Sequence, residues 1–296
     1  MIAFASNSLL CRAALKESRI DPATFTFFRI SSGAVALWLI MSVYGKLSVD
    51  KTASPSVDTF SSSSFVARYL SLRHGNWISA AALFAYAAGF SFAYESLSAG
   101  TGALLLFGAV QATMVLWGLH KGERLNTIQI AGFIIAVTGF VVLVFPGLSA
   151  PPLVGSMLML GAGIAWGVYS VRGKGERNPA GVTTGNFVRA VPFAAALSII
   201  FAPWTHAYPG GVIYALISGA VTSGFGYVVW YSALPGLGAA SAATVQLSVP
   251  VLTATGGILL LSEPMTPRYL LASIAVLGGI ALVVASPHSQ LKLFKR

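Results

Sequence analysis

Residues 122–143 open with Gly122-Glu123-Arg124 and run to Gly139-Phe140-Val141-Val142-Leu143, and residues 262–283 follow the same plan, from Ser262-Glu263-Pro264 to Gly279-Ile280-Ala281-Leu282-Val283. Each is the centre of a longer match, 94–145 against 231–286. In both copies an apolar helix meets a sharp stop carrying a glutamate, and a Gly-bearing apolar helix follows. The fold is therefore read as a duplication of hydrophobic helices.

The rest of the composition agrees. Of 296 residues, 56% are hydrophobic and 9% charged, with mean hydropathy +0.78. A water-soluble domain carries about 25% charged residues, so this chain cannot cover itself against water and belongs in a bilayer. The net charge of +10 does not suggest nucleic acid, because the basic residues punctuate short loops and form no polar basic face. A single Cys11 excludes an internal disulfide and a multi-cysteine metal site, and no His pair has metalloprotease spacing. No cofactor is expected.

A helix needs about 20 apolar residues to cross about 30 Å of hydrocarbon. Windows of that kind cover 24–44, 77–97, 100–119, 128–145, 153–171, 184–201, 212–232, 239–261 and 269–285. A tenth, 2–15, is apolar but short, and is read as a first helix whose opening turns are missing from the chain. The expected fold is all-α and integral to the membrane, with ten helices in two five-helix units, 1–148 and 149–296. An odd number of helices per unit makes the second copy enter the membrane upside down. Such inverted repeats are the plan of carriers that rock between two faces.

Orientation follows from Lys and Arg. An amino terminus in the cytoplasm places inside Lys46, Lys51, Arg68 and Arg73 of the polar loop 45–76, then Lys121, Arg124, Arg172, Lys174 and Arg177, and the tail residues Lys292, Lys295 and Arg296. Only Lys16, Arg19 and Arg268 then fall outside. The expectation is a multi-pass protein of a bacterial-type inner membrane with both termini cytoplasmic.

Several further residues recur in order. Ala5-Ser6-Asn7 on the first helix is answered by Ala165-Trp166-Gly167 on the sixth. Asp21-Pro22 followed by Arg29 is answered by Asn186-Phe187-Val188-Arg189, and Pro250 precedes Glu263 where Val110 precedes Glu123. In these features the chain resembles the EamA-like members of the drug/metabolite transporter superfamily, over essentially its whole length. The resemblance implies two inverted five-helix repeats around a central cavity, lined in part by the first and sixth helices. It does not imply a particular solute.

Polar and aromatic groups within spans are the candidates for a solute site, since they are costly in hydrocarbon. Tyr86, Phe90 and Tyr94 recur every four residues on one face of the third span. Tyr227, Trp230 and Tyr231 do so on the eighth, and these faces are expected to look at each other across a cavity. An interfacial aromatic belt is the alternative for each ring alone. Gln111 and Gln246 are buried amides that either bind a solute or bond a neighbouring helix. Asn7, Trp166 and Tyr169 complete the set on the resemblance. Arg29 and Arg189 are read as interfacial anchors, or as a carboxylate site or gate. Glu95 is the candidate for proton coupling. Glu123 and Glu263 are read as helix caps or partners of Arg124 and Arg268. The stripes Gly163-xxx-Gly167 and Gly219-xxx-Ser223 are read as packing faces.

The favoured function is a secondary transporter moving a small organic metabolite, with export of amino acids or similar amphipathic solutes ahead of proton-coupled drug or cation efflux. A membrane-embedded lipid-modifying enzyme is disfavoured because the spans bring no catalytic set together, and the chain has no Walker-type phosphate loop. The expected partners are a small solute and the lipid bilayer, with a monomer sufficient.

Overall fold

The computed structural model describes residues 1–18, 20–49, 74–122, 125–145, 150–173, 176, 178–233 and 245–285. Glu123 and Arg124, most of the polar loop, the start of the ninth window, the side chain of Tyr231 and the basic tail lie outside them.

Among the described residues there is no strand, and besides a one-turn 3-10 helix, Ala202–Trp204, there are ten helical bodies. They are α1 (Ile2–Lys16), α2 (Pro22–Val49), α3 (Trp77–Tyr94), α4 (Ala99–His120), α5 (Thr127–Val144), α6 (Leu153–Gly173) and α7 (Pro179–Ile200), then α8, α9 (Ser248–Leu261) and α10 (Pro267–Ala285). Helix α8 begins as Pro209–Ile217, widens into a π-helix over Ser218–Phe225 and returns to α geometry over Gly226–Ala233. Eight of these are long and apolar enough to cross a membrane, and α9 is a shorter apolar helix. At 15 residues α1 reaches only about 22 Å.

Several helices start where the sequence offers a side-chain acceptor for their free N–H groups. Asn76 accepts from Ser79, Ser98 from Thr101, and Asn126 forms a capping box with Gln129. Asp21 and Asn178 do the same for Thr24 and Gly181, each followed by a proline in the first turn. The stop before each repeated glutamate is a left-handed residue: Gly122 at φ 90° after α4 and Ser262 at φ 50° after α9.

Most of the packing joins the first five helices to the last five. The closest pairs are α5 with α10, α3 with α6, α4 with α6, and α2 with α7 and α8. Exchanging each helix for the one five places along turns α3·α6 into α1·α8, α4·α6 into α1·α9 and α2·α8 into α3·α7, all of which also pack. Small residues permit this closeness where lipid supplies no hydrophobic drive. At the α5·α10 crossing a Cβ on Gly132 would lie 2.6 Å from the Gly279 carbonyl, and one on Gly279 would meet the Gly132 carbonyl in return. Gly163 and Gly167 sit on Leu106 and Thr113 of α4, as a packing stripe should. Large apolar side chains such as Leu259, Leu260, Ile134 and Ile274 remain on the outside, which suits a lipid-facing surface and not an aqueous one. The chain is an all-α, multi-pass membrane protein.

Candidate solute-binding site

Where α1, α3, α4, α6, α8 and the residues just before α9 meet, a cavity is lined by Asn7, Tyr86, Phe90, Trp166, Tyr227 and Gln246, together with Phe4, Ser8, Leu106, Phe107, Thr222 and Ser223. It has room for little more than one water, about 20 Å³. What fills it is Trp166. Its ring lies 4.8 Å from that of Tyr86 on one side and stacks on Tyr227 at 5.3 Å and 22° on the other. The aromatic faces of α3 and α8 thus do converge, with the sixth helix wedging an indole between them. Tyr169 stacks on Trp166 one turn further along α6.

The polar side of the site is a connected network. Asn7 on α1 donates to the Tyr86 hydroxyl at 3.4 Å and accepts at Oδ1 from Ser218 (2.6 Å) and Thr222 (3.3 Å). Arg29 Nη2 on α2 donates to the same Tyr86 oxygen at 2.9 Å, and the guanidinium lies over Phe90 at 4.7 Å. Arg29 is 3% exposed, so it does not snorkel as an interfacial anchor would. The π-helix supplies part of this geometry, setting Thr222 and Ser223 on the cavity and Ser218 beneath Asn7. Widened turns of this kind recur at functional sites.

Two patches close the ends of the bundle. At one, Arg12 Nε pairs with Glu263 Oε1 at 3.2 Å, while its Nη1 donates to the carbonyls of Tyr94 (2.8 Å) and Glu95 (3.1 Å). The other oxygen of Glu263 accepts from Ala99 N at 2.8 Å, so this carboxylate caps α4. Glu263 is a cap as expected, but of a distant helix, and its partner is Arg12. Arg268 instead donates to the carbonyls of Val142 and Phe145 at the end of α5. Beside this closure lies a hollow of about 190 Å³ reaching Ser98, Thr101 and Tyr269. At the other end, Arg172 donates to Ser79 and Asn76 at the start of α3, and Arg189 to the His74 carbonyl. Asn186 Oδ1 accepts from Asn76 N there.

Not every candidate comes to the cavity. Gln111 faces an apolar cleft between α4, α5 and α10, beside Phe133 and Val283. Tyr94 is buried behind Phe90, its hydroxyl donating to the Ala99 carbonyl. Trp230 is half-buried against Phe4. Glu95 is exposed at the end of α3, and Arg189 sits at the far end beside Trp77. Counted from the prolines of α2 and α7, the place of Arg29 falls to Asn186, which explains why Arg189 is not its mate. The lining residues missed were Phe4, Leu106 and Phe107 and the small hydroxyls Ser8, Thr222 and Ser223, with Ser218 bonded to Asn7 beside them. Ser223 belonged to a stripe that reads as packing; Gly219 packs against the Arg29 carbonyl, and Ser223 is buried beside the cavity. A signal was available: Phe90 and Tyr227 stand four residues before Tyr94 and Tyr231, and Leu106 and Gln246 seventeen before Glu123 and Glu263. These matched positions, Phe90 with Tyr227 and Leu106 with Gln246, line the one cavity.

A lipid-embedded helical bundle with a central polar and aromatic cavity, closed at both ends by side-chain bonds between helices, defines a membrane carrier. Residues 153–285 match the EamA-like transporter family. An uncharacterized protein of Pseudomonas aeruginosa is 51% identical over 285 residues, 96% of this chain and 92% of that one. The threonine/homoserine exporter RhtA of Escherichia coli is 34% identical over 149 residues, 48% of this chain and 47% of the exporter. A protein of known crystal structure matches the fold with TM-score 0.60 at 16% identity, over 95% of this chain and 94% of that one. The chain belongs to the EamA-like transporter family of the drug/metabolite transporter superfamily.

Proposed function

We propose that this transporter is a secondary carrier that exports a small amphipathic metabolite, an amino acid or a close relative, across a bacterial cytoplasmic membrane by alternating access. The cavity carries the proposal. Its lining is aromatic and uncharged, with amide and hydroxyl groups, and no acidic side chain lines it among the described residues. That lining suits a neutral or zwitterionic solute better than a cation. The likeness to the threonine/homoserine exporter points the same way.

Residues 1–148 and 149–296 act in this reading as two inverted repeats, with both termini cytoplasmic. The exchange of each helix contact for its counterpart five helices along supports the repeat. With both end closures made and the indole of Trp166 in the cavity, the arrangement is occluded. Transport requires one closure to open at a time, the Arg12–Glu263 end or the Arg172–Asn76 end. That no carboxylate of the described residues lines the cavity favours facilitated diffusion or exchange over proton coupling.

Flux of labelled amino acids and of a lipophilic cation into proteoliposomes, with and without a pH gradient, tests this. Saturable amino-acid flux that ignores the gradient and collapses in Tyr227→Ala/Gln246→Ala is expected. Cation flux that needs the gradient sinks the proposal in favour of proton-coupled efflux.

A further inference from the structure

The cation beside the site has fewer partners than its burial demands. Arg29 lies seven residues into α2, about 10 Å from its start, with its side chain almost wholly buried. Its Nη2 is held by the Tyr86 hydroxyl, whereas its Nη1 has no hydrogen-bond partner. The ion pair formed among the described residues is Arg12 with Glu263, so no described carboxylate neutralises Arg29. A guanidinium removed from water without a counter-charge is strongly unfavourable, and intramembrane arginines ordinarily find an anion or carbonyl groups.

The geometry around it is that of a half-filled fork. A guanidinium presents parallel N–H groups matched to the two oxygens of a carboxylate. Here one arm holds a phenol oxygen and the other holds nothing. That phenol oxygen accepts from both Arg29 and Asn7, which leaves its own proton for a further acceptor. Tyr86 and Phe90 form the wall between the guanidinium and the cavity, and both line the cavity. Parting these two rings joins an unpaired cation to the place where a solute sits.

We infer that Arg29 is the carboxylate anchor of the solute site, with one carboxylate oxygen accepting from Arg29 Nη1 and the other from the Tyr86 hydroxyl. This rests on the transporter reading above and narrows its solute class to molecules with a free carboxylate. For an α-amino acid, the ammonium then falls toward the rings of Trp166 and Tyr227, which offer cation–π contact. Lipophilic cations are repelled.

The test is binding to the detergent-purified full chain, read by tryptophan fluorescence and thermal shift. The probes are L-threonine, L-threoninamide, 2,3-dihydroxybutyrate and tetraphenylphosphonium. Wild type should bind threonine, with the amide weaker on the order of ten- to a hundredfold. Arg29→Met should abolish that preference for acid over amide, Arg29→Lys should restore part of it, and Tyr86→Phe, which keeps the ring packing, should lose part of it. A purely structural arginine would change thermal stability but not the preference. Equal binding of acid and amide by wild type, or the preference surviving in Arg29→Met, overturns the inference, as does a wild type that binds none of the carboxylates. Arg29-dependent binding of dihydroxybutyrate without binding of threonine supports the anchor and overturns the amino-acid reading. Tetraphenylphosphonium bound by wild type in preference to every carboxylate, and no tighter in Arg29→Met, overturns both.

Discussion

Arg12 and Glu263 are 251 residues apart in the chain and meet at 3.2 Å, joining the first helix to the turn between α9 and α10. The same carboxylate holds the first backbone N–H of α4, and the same guanidinium holds the last carbonyls of α3. One ion pair therefore fastens four segments at one end of the bundle.

Breaking that pair leaves a mostly buried charge without its partner. Glu263→Ala should destabilise the protein by about 3 kcal/mol, and Arg12→Ala by a similar amount, with the double variant costing clearly less than the sum. Thermal unfolding in detergent measures this. Strict additivity would mean the two side chains are not coupled.

The Tyr86 hydroxyl links α1, α2 and α3 through Asn7 and Arg29. Tyr86→Phe should lower solute flux into proteoliposomes roughly tenfold while the protein still folds, because the ring contacts with Phe90 and Trp166 remain. Tyr94→Phe is the control, since that hydroxyl meets the Ala99 carbonyl away from the cavity. Equal effects of the two substitutions would remove Tyr86 from the site.

The crossing of α5 and α10 depends on bare backbones. Gly132→Ala places a Cβ against the Gly279 carbonyl and should cost on the order of 1–3 kcal/mol, seen as a lower melting temperature. Gly278→Ala, where nothing lies within 4 Å, should be tolerated. A silent Gly132→Ala would show that the helices part easily there.

The two left-handed stops should respond in opposite directions. Ser262→Gly removes a side chain from an unfavourable conformation and should stabilise by about 1 kcal/mol, and Gly122→Ala should destabilise by about as much. Urea or thermal unfolding of the pair decides it.

Cys11 is fully buried. A membrane-permeant maleimide should leave the native chain unlabelled and react on unfolding, so single cysteines introduced at Lys16 and Lys292 can report sidedness without replacing Cys11. Fast native labelling would contradict the packing of α1.

Much of the architecture was legible in the chain alone, because a bilayer imposes one requirement on every span: enough consecutive apolar residues for a helix to bond its own backbone. Windows at 77–97 and 100–119 accordingly became α3 and α4 almost residue for residue. Glu123 and Glu263 directly follow the left-handed stops Gly122 and Ser262, and the recurrence of Tyr86, Phe90 and Tyr94 at every fourth residue announced one buried face. Aromatic size and helical period are local properties, so they can be read without partners.

What faced that stripe was decided by tertiary structure. Gln111 and Gln246 are both amides in apolar spans, yet one faces a dry cleft and the other the cavity, a choice set by which neighbours each helix acquires. Arg29 and Arg189 both lie within their helices, and the rings of Tyr86 and Phe90 on α3 cover the first, while the second reaches the His74 carbonyl at the end of the bundle. The hydroxyls of Ser218 and Thr222 became partners of Asn7 because that stretch of α8 packs on α1, and nothing in their spacing foretells the contact. The pairing of Arg12 with Glu263, across nearly the whole chain, likewise exists only once the last helices close against the first.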